Sequence, residues 1–129
     1  FKDWPITINI LPIPTTAAPT FTSALVSVTH YTSTISISCD QDVFVFFYAM
    51  PFDTYKIHDS ATVKAWVLAG YKIIDPDTII GYYSYSSGAV VNTVMSNLLA
   101  DTKYKIKIYF ESPLDNGNGT TEYDFDTSL

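Results

Sequence analysis

The chain has 129 residues, of which 47% are hydrophobic and only 16% are charged. This length suits one domain, and this apolar content excludes a disordered chain. The 13 acidic residues outnumber seven lysines and no arginine is present, so the net charge of −6 argues against nucleic acid and anionic membrane surfaces as partners. No apolar run approaches the ~20 residues that span a bilayer, and we predict no membrane insertion. No basic and apolar leader opens the sequence, so we expect any secretory signal to have been removed.

A strand pattern opens the chain and stands apart from the rest of it. Apolar and polar residues alternate from Trp4 to Leu11, and this two-residue period is typical of a β-strand. The proline-rich stretch that follows, residues 12–19, is incompatible with a helix interior and with a central sheet strand. We therefore divide the chain into residues 1–18, a strand with a proline-rich linker, and residues 19–129, the folded domain. The apolar side chains of the strand include Trp4, Ile6, Ile8 and Ile10.

Two interpretations of this N-terminal strand remain open. A lone strand cannot satisfy its own backbone, so it has to pair with a sheet edge. It is either the first half of a split first strand, paired with its own domain, or a donor strand that completes the sheet of the next subunit. The linker reaches ~25 Å as a polyproline II helix and turns back poorly. We therefore favour the second interpretation. The donor strand and the surface that accepts it are different, so the contact does not close on itself and repeats from subunit to subunit as a fibre. This arrangement is similar in architecture to that of donor-strand pilins.

After the linker, short apolar runs separated by turn signals predict an all-β, antiparallel sandwich. The third run is apolar on both faces, so its second face needs cover from the following segment or from another subunit. The fourth run contains Gly81, where we expect a β-bulge. The predicted strands are residues 24–28, 35–39, 43–50, 79–85, 89–95, 103–110 and 122–127.

A short helix is predicted between the third and fourth of these strands. Three apolar residues have the spacing of one helix face, Asp59 or Ser60 would cap the first turn, and Gly70 would end the helix. The same residues also fit an edge strand. The apolar positions are Val63, Trp66 and Val67.

The last two predicted strands alternate between core and solvent. The lysines and Tyr109 of the first are expected to face outward, opposite the acidic residues of the second. From this charge alternation we predict the cross-strand pairs Lys107–Asp124 and Lys105–Asp126. The residues expected to face inward, beside Ile35 and Ile37, are Tyr104, Ile106, Ile108, Phe110, Tyr123 and Phe125.

The turn before residue 103 resembles the corner between strands E and F of a fibronectin type III domain. Leu98, Thr102 and Tyr104 match that family's Leu, Thr and Tyr at the same spacing, while Ala100 replaces its proline. The resemblance covers about residues 19–127. It implies an immunoglobulin-like sandwich in which the Tyr104 hydroxyl bonds to backbone a few residues upstream. It also implies binding, adhesion or spacing rather than catalysis.

The chain departs from that family's pattern in two places. Cys39 stands on the second strand, where the family has a core tryptophan, and the segment between the third strand and Ala89 is longer than usual. As the only cysteine, Cys39 cannot form an internal disulfide, and we expect a buried thiol.

No catalytic motif is present. His30 and His58 are the only imidazoles, they lie in predicted turns far apart in sequence, and we expect both on the surface. Three pairs of carboxylates lack the spacing of a calcium loop and fit turns or an outer strand face better. We therefore predict no enzymatic activity, no cofactor and no bound metal. The carboxylate pairs are Asp40/Asp42, Asp75/Asp77 and Asp124/Asp126.

Two features concern carbohydrate. Tyr82, Tyr83 and Tyr85, with Trp66, would form a platform for sugar stacking, although aromatic residues in a strand more often pack within the sheet. The sequence Asn-Gly-Thr beginning at Asn118 is an N-glycosylation signal in the loop expected between the last two strands.

Together these patterns predict a structural subunit of an extracellular or cell-surface filament. Its partners would be copies of itself, and it would carry covalent glycans. The contact between subunits would be formed by inserting the N-terminal strand into a neighbouring sandwich. The strand residues buried in this contact would be Trp4, Ile6, Ile8 and Ile10. Residues 43–50 would add contact area between subunits. The alternative is an adhesive or carbohydrate-binding module of a larger surface protein, in which residues 1–18 are an interdomain linker.

Overall fold

The structure, a computed structural model, describes residues 17–74 and 77–128. The strand predicted over residues 4–11 and the first part of its linker lie outside the described residues, as does part of the turn at residues 75–77. The remaining elements, in chain order, are β1 (Phe21–Val28), β2 (Ser33–Cys39), β3 (Val43–Pro51), a 3-10 turn (Phe52–Thr54), α1 (Ser60–Leu68), β4 (Ile73–Ile74), β5 (Thr78–Tyr85), β6 (Val90–Met95), β7 (Lys103–Glu111) and β8 (Asn118–Asp126).

Two antiparallel sheets pack face to face, and the predicted all-β sandwich is confirmed. The smaller sheet has the order β1-β2-β6, and the larger has the order β4-β5-β3-β7-β8. Between the sheets lies the main core, where the alternating residues of β2 and β7 are buried as their two-residue period predicted. Cys39 is part of this core as a buried free thiol. Core residues from the two sheets include Ile35, Ile37, Tyr104, Ile106, Ile108 and Phe125.

The helix α1 covers the outer face of β3. Phe46 and Tyr48 of that face are fully buried, and they pack in a second core with Val63 and Val67 of the helix. The cover that the doubly apolar strand needs therefore comes from the segment that follows it. The helix begins as predicted, because Oδ1 of Asp59 accepts a hydrogen bond from the N–H of Thr62 at 2.8 Å.

The predicted outward orientation of Tyr109 was wrong. Its ring is 9% exposed and stacks on Phe46 in the second core. The reason is that the outer face of β7 beside β3 also lies under α1, whose position the strand period alone does not reveal.

The predicted bulge at Gly81 was also wrong. The pairing of β5 with β3 runs without a shift through Phe47↔Gly81. A register shift occurs instead in β1, between Leu25 and Ser27, so that Leu25 and Val28 both pack on the core.

The last two strands are neighbours, and lysines face acids across them as expected, but the predicted pairs were shifted by two residues. Lys105 lies opposite Asp124, with Nζ and Oδ1 3.4 Å apart, and Lys107 lies opposite Glu122. Lys103 takes the place opposite Asp126. An alternation of charges with period two is satisfied equally by either register, and the loop between the strands decides between them.

Candidate functional site

Residues 17–20 join the sandwich at one end, which we call the N-terminal pole. It is formed by the turn at residues 40–42 and the loop at residues 112–117. The side-chain amides of Gln41 and Asn116 both donate to the carbonyl oxygen of Ala17, and the N–H of Thr20 donates to Oδ1 of Asp40 at 2.8 Å. The last residues of the linker, 17–19, are therefore attached to the domain at this pole.

One side of the sandwich, between β1 and β8, is joined by side chains. The Tyr123 hydroxyl donates to the backbone carbonyl of Ser23, and the rings of Phe21 and Phe110 stack with centroids 4.4 Å apart. The first contact links the edge strands β1 and β8, and the second links β1 to β7, the strand next to β8. We call this the closed side.

The opposite side, between β5 and β6, is open. Among the described residues, β6 pairs only with β2, and β4 covers β5 only at Thr78 and Ile79. A groove of about 230 Å³ lies between the two strands. Its walls include Phe47, Ile79, Gly81, Thr93 and Met95.

The free edges of the two sheets differ in how they are protected. Sheet edges in proteins are usually shielded by charges, by bulges or by being short. The edge strand β8 carries Glu122, Asp124 and Asp126, β4 has only two residues, and the pairing of β1 shifts after Leu25. In contrast, β6 pairs with β2 in regular register over its six residues, Val90–Met95, and contains neither a charge nor a proline.

Neither β6 nor the groove beside it was predicted as a site from the sequence. The signal was present in the sequence Val-Val-Asn-Thr-Val-Met, a strand pattern that has no charged residue. It could not be interpreted there, because which strands lie at a sheet edge depends on the order of strands and not on any one strand.

The corner before β7 has the hydrogen bond that the resemblance implies. The Tyr104 side chain is fully buried, and its hydroxyl accepts a hydrogen bond from the N–H of Leu99, five residues upstream, at 2.8 Å. Leu98 is buried beside it, and Thr102 donates from Oγ1 to the carbonyl of Ala100 at 2.8 Å. Burial raises the pKa of Tyr104.

A second polar arrangement lies under α1, where two buried tyrosines hold the segment before the helix. Tyr48 accepts a hydrogen bond from the N–H of His58 and donates to the carbonyl of Lys56, while Tyr109 donates to the carbonyl of His58. The imidazole of His58 packs edge-on against Tyr48 and Trp66. His58 is therefore half-buried rather than on the surface, and burial lowers its pKa.

The four aromatic residues considered for sugar stacking do not share a surface. Tyr82 faces outward and is 60% exposed, whereas Tyr83 and Tyr85, on the same strand, face the main core. Trp66 packs against the second core on α1. A platform made of all four side chains is excluded by this alternation.

The remaining candidate residues lie in separate places. Asn118 is exposed and is the first residue of β8, opposite Glu111, rather than within the loop. Asp40 and Asp42 are hydrogen-bonded to the N–H groups of Thr20 and Ser87 and so act in turns. Within residues 17–74 and 77–128, no three His, Cys, Asp or Glu side chains are grouped closely enough to hold a metal ion, and no helix is long and apolar enough to cross a membrane.

Comparison with known proteins adds no further information about the site. No family model, characterised protein or solved structure matches this chain.

Proposed function

We propose that this protein is a structural subunit of an extracellular filament, in which the N-terminal strand of each copy inserts into the sandwich of the next. The observation that carries the proposal is the attachment of the linker at the N-terminal pole. Three hydrogen bonds hold Ala17 and Thr20 there, so the N-terminal strand is tethered to this end of the sandwich, from which a stiff linker would extend it toward another copy. The segment beyond the linker is a strand that needs a sheet edge to pair with.

The strand order supports an immunoglobulin-like, fibronectin type III-like domain as the repeating unit. In that architecture the first, second and fifth strands form one sheet, and the third strand lies between a short edge strand and the last two strands in the other. Apart from the added two-residue edge strand β4, the order β1-β2-β6 against β4-β5-β3-β7-β8 agrees with this arrangement, as does the bond between Leu99 and the Tyr104 hydroxyl. Such domains serve as binding or spacing modules, which is consistent with a filament subunit by analogy.

The expected contribution of residues 43–50 to the joint between subunits is withdrawn. β3 is the central strand of the larger sheet, and both its faces are buried within its own chain, one in the main core and one under α1. The contact between subunits would therefore be formed by the N-terminal strand of one copy and by surfaces at the sheet edges of the next.

The proposal is tested with two variants on opposite faces of the N-terminal strand. Ile8→Lys places a charge where an isoleucine would be buried in the joined state, whereas Thr7→Lys places the same charge on the polar face and serves as the matched control. We expect filaments by negative-stain electron microscopy for the parent chain and for Thr7→Lys, and monomers for Ile8→Lys. Circular dichroism and thermal unfolding should be the same for both variants.

A deletion of residues 1–16 tests the same proposal and keeps the described contacts at the pole. We expect a folded monomer that forms no filaments. If the shortened chain still forms filaments of the same pitch, the strand is not the joint. If it does not fold, the strand belongs to its own sheet, and the proposal is wrong.

A second candidate function, an adhesive or carbohydrate-binding module, is favoured by one cavity. A cavity of about 390 Å³ beside α1 is lined by aromatic and polar side chains, among them Trp66, His58, Lys56 and Asp77. Sugar sites combine an aromatic surface with a few polar groups of this kind. Binding to a glycan array that is lost in Trp66→Ala, but retained in Tyr82→Ala, would favour this candidate.

We also propose that the protein carries an N-glycan at Asn118. The side chain is exposed at the start of β8, where a glycan can project into solvent. Intact-mass analysis of protein secreted from eukaryotic cells, before and after glycosidase treatment, tests this. A mass shift that disappears in Thr120→Ala is expected, and an unchanged mass in the parent chain would exclude the modification.

A further inference from the structure

We propose that the acceptor for the N-terminal strand is the free edge of β6 on a second copy of this chain, with the isoleucines of the strand lying in the groove between β6 and β5. This inference rests on the proposed function and adds the location of the surface that accepts the N-terminal strand. It follows from the protection of the sheet edges, from the chemistry of the groove and from the length of the two strands.

The first argument is the lack of protection along β6. An unshielded edge is a template for pairing with another chain, and proteins avoid such edges unless they are used. The edge of β8 is shielded by three acidic residues, and β1 has a register shift and is joined to β8 by Tyr123. The two-residue β4 covers β5 only at Thr78 and Ile79, so residues 80–85 of β5 face the same open side, but Gly81 interrupts that stretch. The edge of β6 has none of these features over Val90–Met95.

The second argument is the chemistry of the groove. Its walls combine apolar residues from both sheets, Phe47, Ile79 and Met95, with polar residues that include Lys72, Thr93 and Asn97. Gly81 contributes no side chain to the β5 wall, and the ring of Phe47 fills the place beside it, so that an apolar ring forms this part of the groove. A strand paired with β6 would direct every second side chain into the groove, and the N-terminal strand has isoleucine at every second position.

The outer face of the smaller sheet is compatible in polarity with the face of the inserted strand that carries Thr7 and Asn9. The residues of this face that lie in register across β2 and β6 are uncharged: Thr34, Ser36, Ser38, Val90, Asn92 and Val94. Thr7 and Asn9 would continue this surface as uncharged polar residues. No charge would be buried on this outer side of the added strand, and Lys72, an exposed residue of the groove wall, would keep its ammonium group in solvent.

The lengths also agree. Six residues of β6 extend over about 20 Å, and the eight residues from Trp4 to Leu11 extend over about 26 Å, so the strand covers the whole free edge. Because Ala17 is already bound at the pole, residues 12–16 of the linker remain to separate the pole of one copy from the groove of the next, and they would span ~15 Å as a polyproline II helix.

Disulfide trapping between two singly substituted chains tests the position of the joint. One chain carries Asn9→Cys on the polar face of the strand, the other carries a cysteine on the outer face of β6 (Val90→Cys, Asn92→Cys or Val94→Cys), and Cys39→Ala removes the native thiol from both. Neighbouring strands bring Cβ atoms to ~4.5–5.5 Å, within reach of a disulfide. The matched control replaces the β6 cysteine by Glu122→Cys on the outer face of β8.

We expect at least one β6 position to give about tenfold more disulfide-linked dimer than Glu122→Cys, because paired strands hold the thiols at high effective concentration. A linked dimer found mainly with Glu122→Cys overturns the position but leaves the proposed function standing. If the chains form filaments but no β6 cysteine gives a disulfide-linked dimer, the position is likewise wrong and the proposed function still stands. If a chain carrying both Asn9→Cys and Asn92→Cys forms only an internal disulfide and remains monomeric, both the position and the proposed function are wrong.

Discussion

Phe47 and Gly81 face each other across β3 and β5, and the ring of Phe47 occupies the space that a side chain at residue 81 would need. A Cβ atom at residue 81 would lie 2.7 Å from two ring carbons of Phe47. Phe110 lies over Gly119 in the same way across β7 and β8. An aromatic ring placed over a glycine restores the packing that the glycine lacks. On the open side, the same arrangement leaves the wall of the groove without a side chain between Ile79 and Tyr83.

We expect Gly81→Ala to lower the free energy of unfolding by about 1–3 kcal/mol, the usual range for an overpacked core position. The Phe47 ring is buried and cannot move away from the added methyl group without disturbing the main core. Urea denaturation measures the effect. Ser84→Ala, on the exposed face of the same strand, is the control, and an equal stability for both variants would show that the ring relaxes freely.

Removal of the Tyr104 hydroxyl should also destabilise the fold. In Tyr104→Phe the part-buried hydrogen bond from the N–H of Leu99 is lost, which costs about 0.5–1.5 kcal/mol. Thermal unfolding of this variant should be compared with Tyr82→Phe, whose ring is exposed and whose hydroxyl has a solvent-facing position. A midpoint unchanged in both variants would contradict a stabilising role for the corner.

The cover that α1 provides for β3 can be tested with a buried charge. Val63 is fully buried against β3, whereas Ala65 lies on the exposed side of the same helix. Val63→Asp should lower the free energy of unfolding by at least about 2 kcal/mol, since an unpaired carboxylate would be buried, and Ala65→Asp should change it by less than about 0.5 kcal/mol. Similar values for the two would mean that the helix does not pack on the sheet.

The parts of the fold that follow from a local period were predicted from the sequence. The two-residue alternation in β2, β7 and β8 identified the core residues Ile35, Ile106 and Phe125, because a strand with one buried face must alternate. The helix was predicted from its cap, since Asp59 precedes the apolar spacing and bonds the N–H of Thr62.

The features that depend on several elements at once were not predicted. The burial of Tyr109 depends on α1 lying across β7, and the pairing of Lys105 with Asp124 depends on the loop between the strands. The groove is a property of the two strands that happen to lie at the open side, so neither sequence segment reveals it alone. A sequence period specifies the face of a strand but not its neighbour.

The stability of the domain should depend on pH through His58. Burial lowers the pKa of this imidazole in the folded protein below its ordinary value of 6.5, so the unfolded chain binds a proton at a higher pH than the folded chain does. As the pH falls below about 6.5, the unfolded state takes up protons that the folded state does not, and the free energy of unfolding decreases. Between the lowered pKa and 6.5 the stability therefore rises with pH.

Urea denaturation at about pH 8 and about pH 5 measures this dependence. His58→Gln should reduce the difference in unfolding free energy between the two pH values, because glutamine does not titrate. His30→Gln is the matched control, since His30 is exposed and bonds through Nδ1 to the carbonyl of Thr127 at 3.2 Å. If His30→Gln removes the difference and His58→Gln does not, the half-buried imidazole between Tyr48 and Trp66 is not the group responsible.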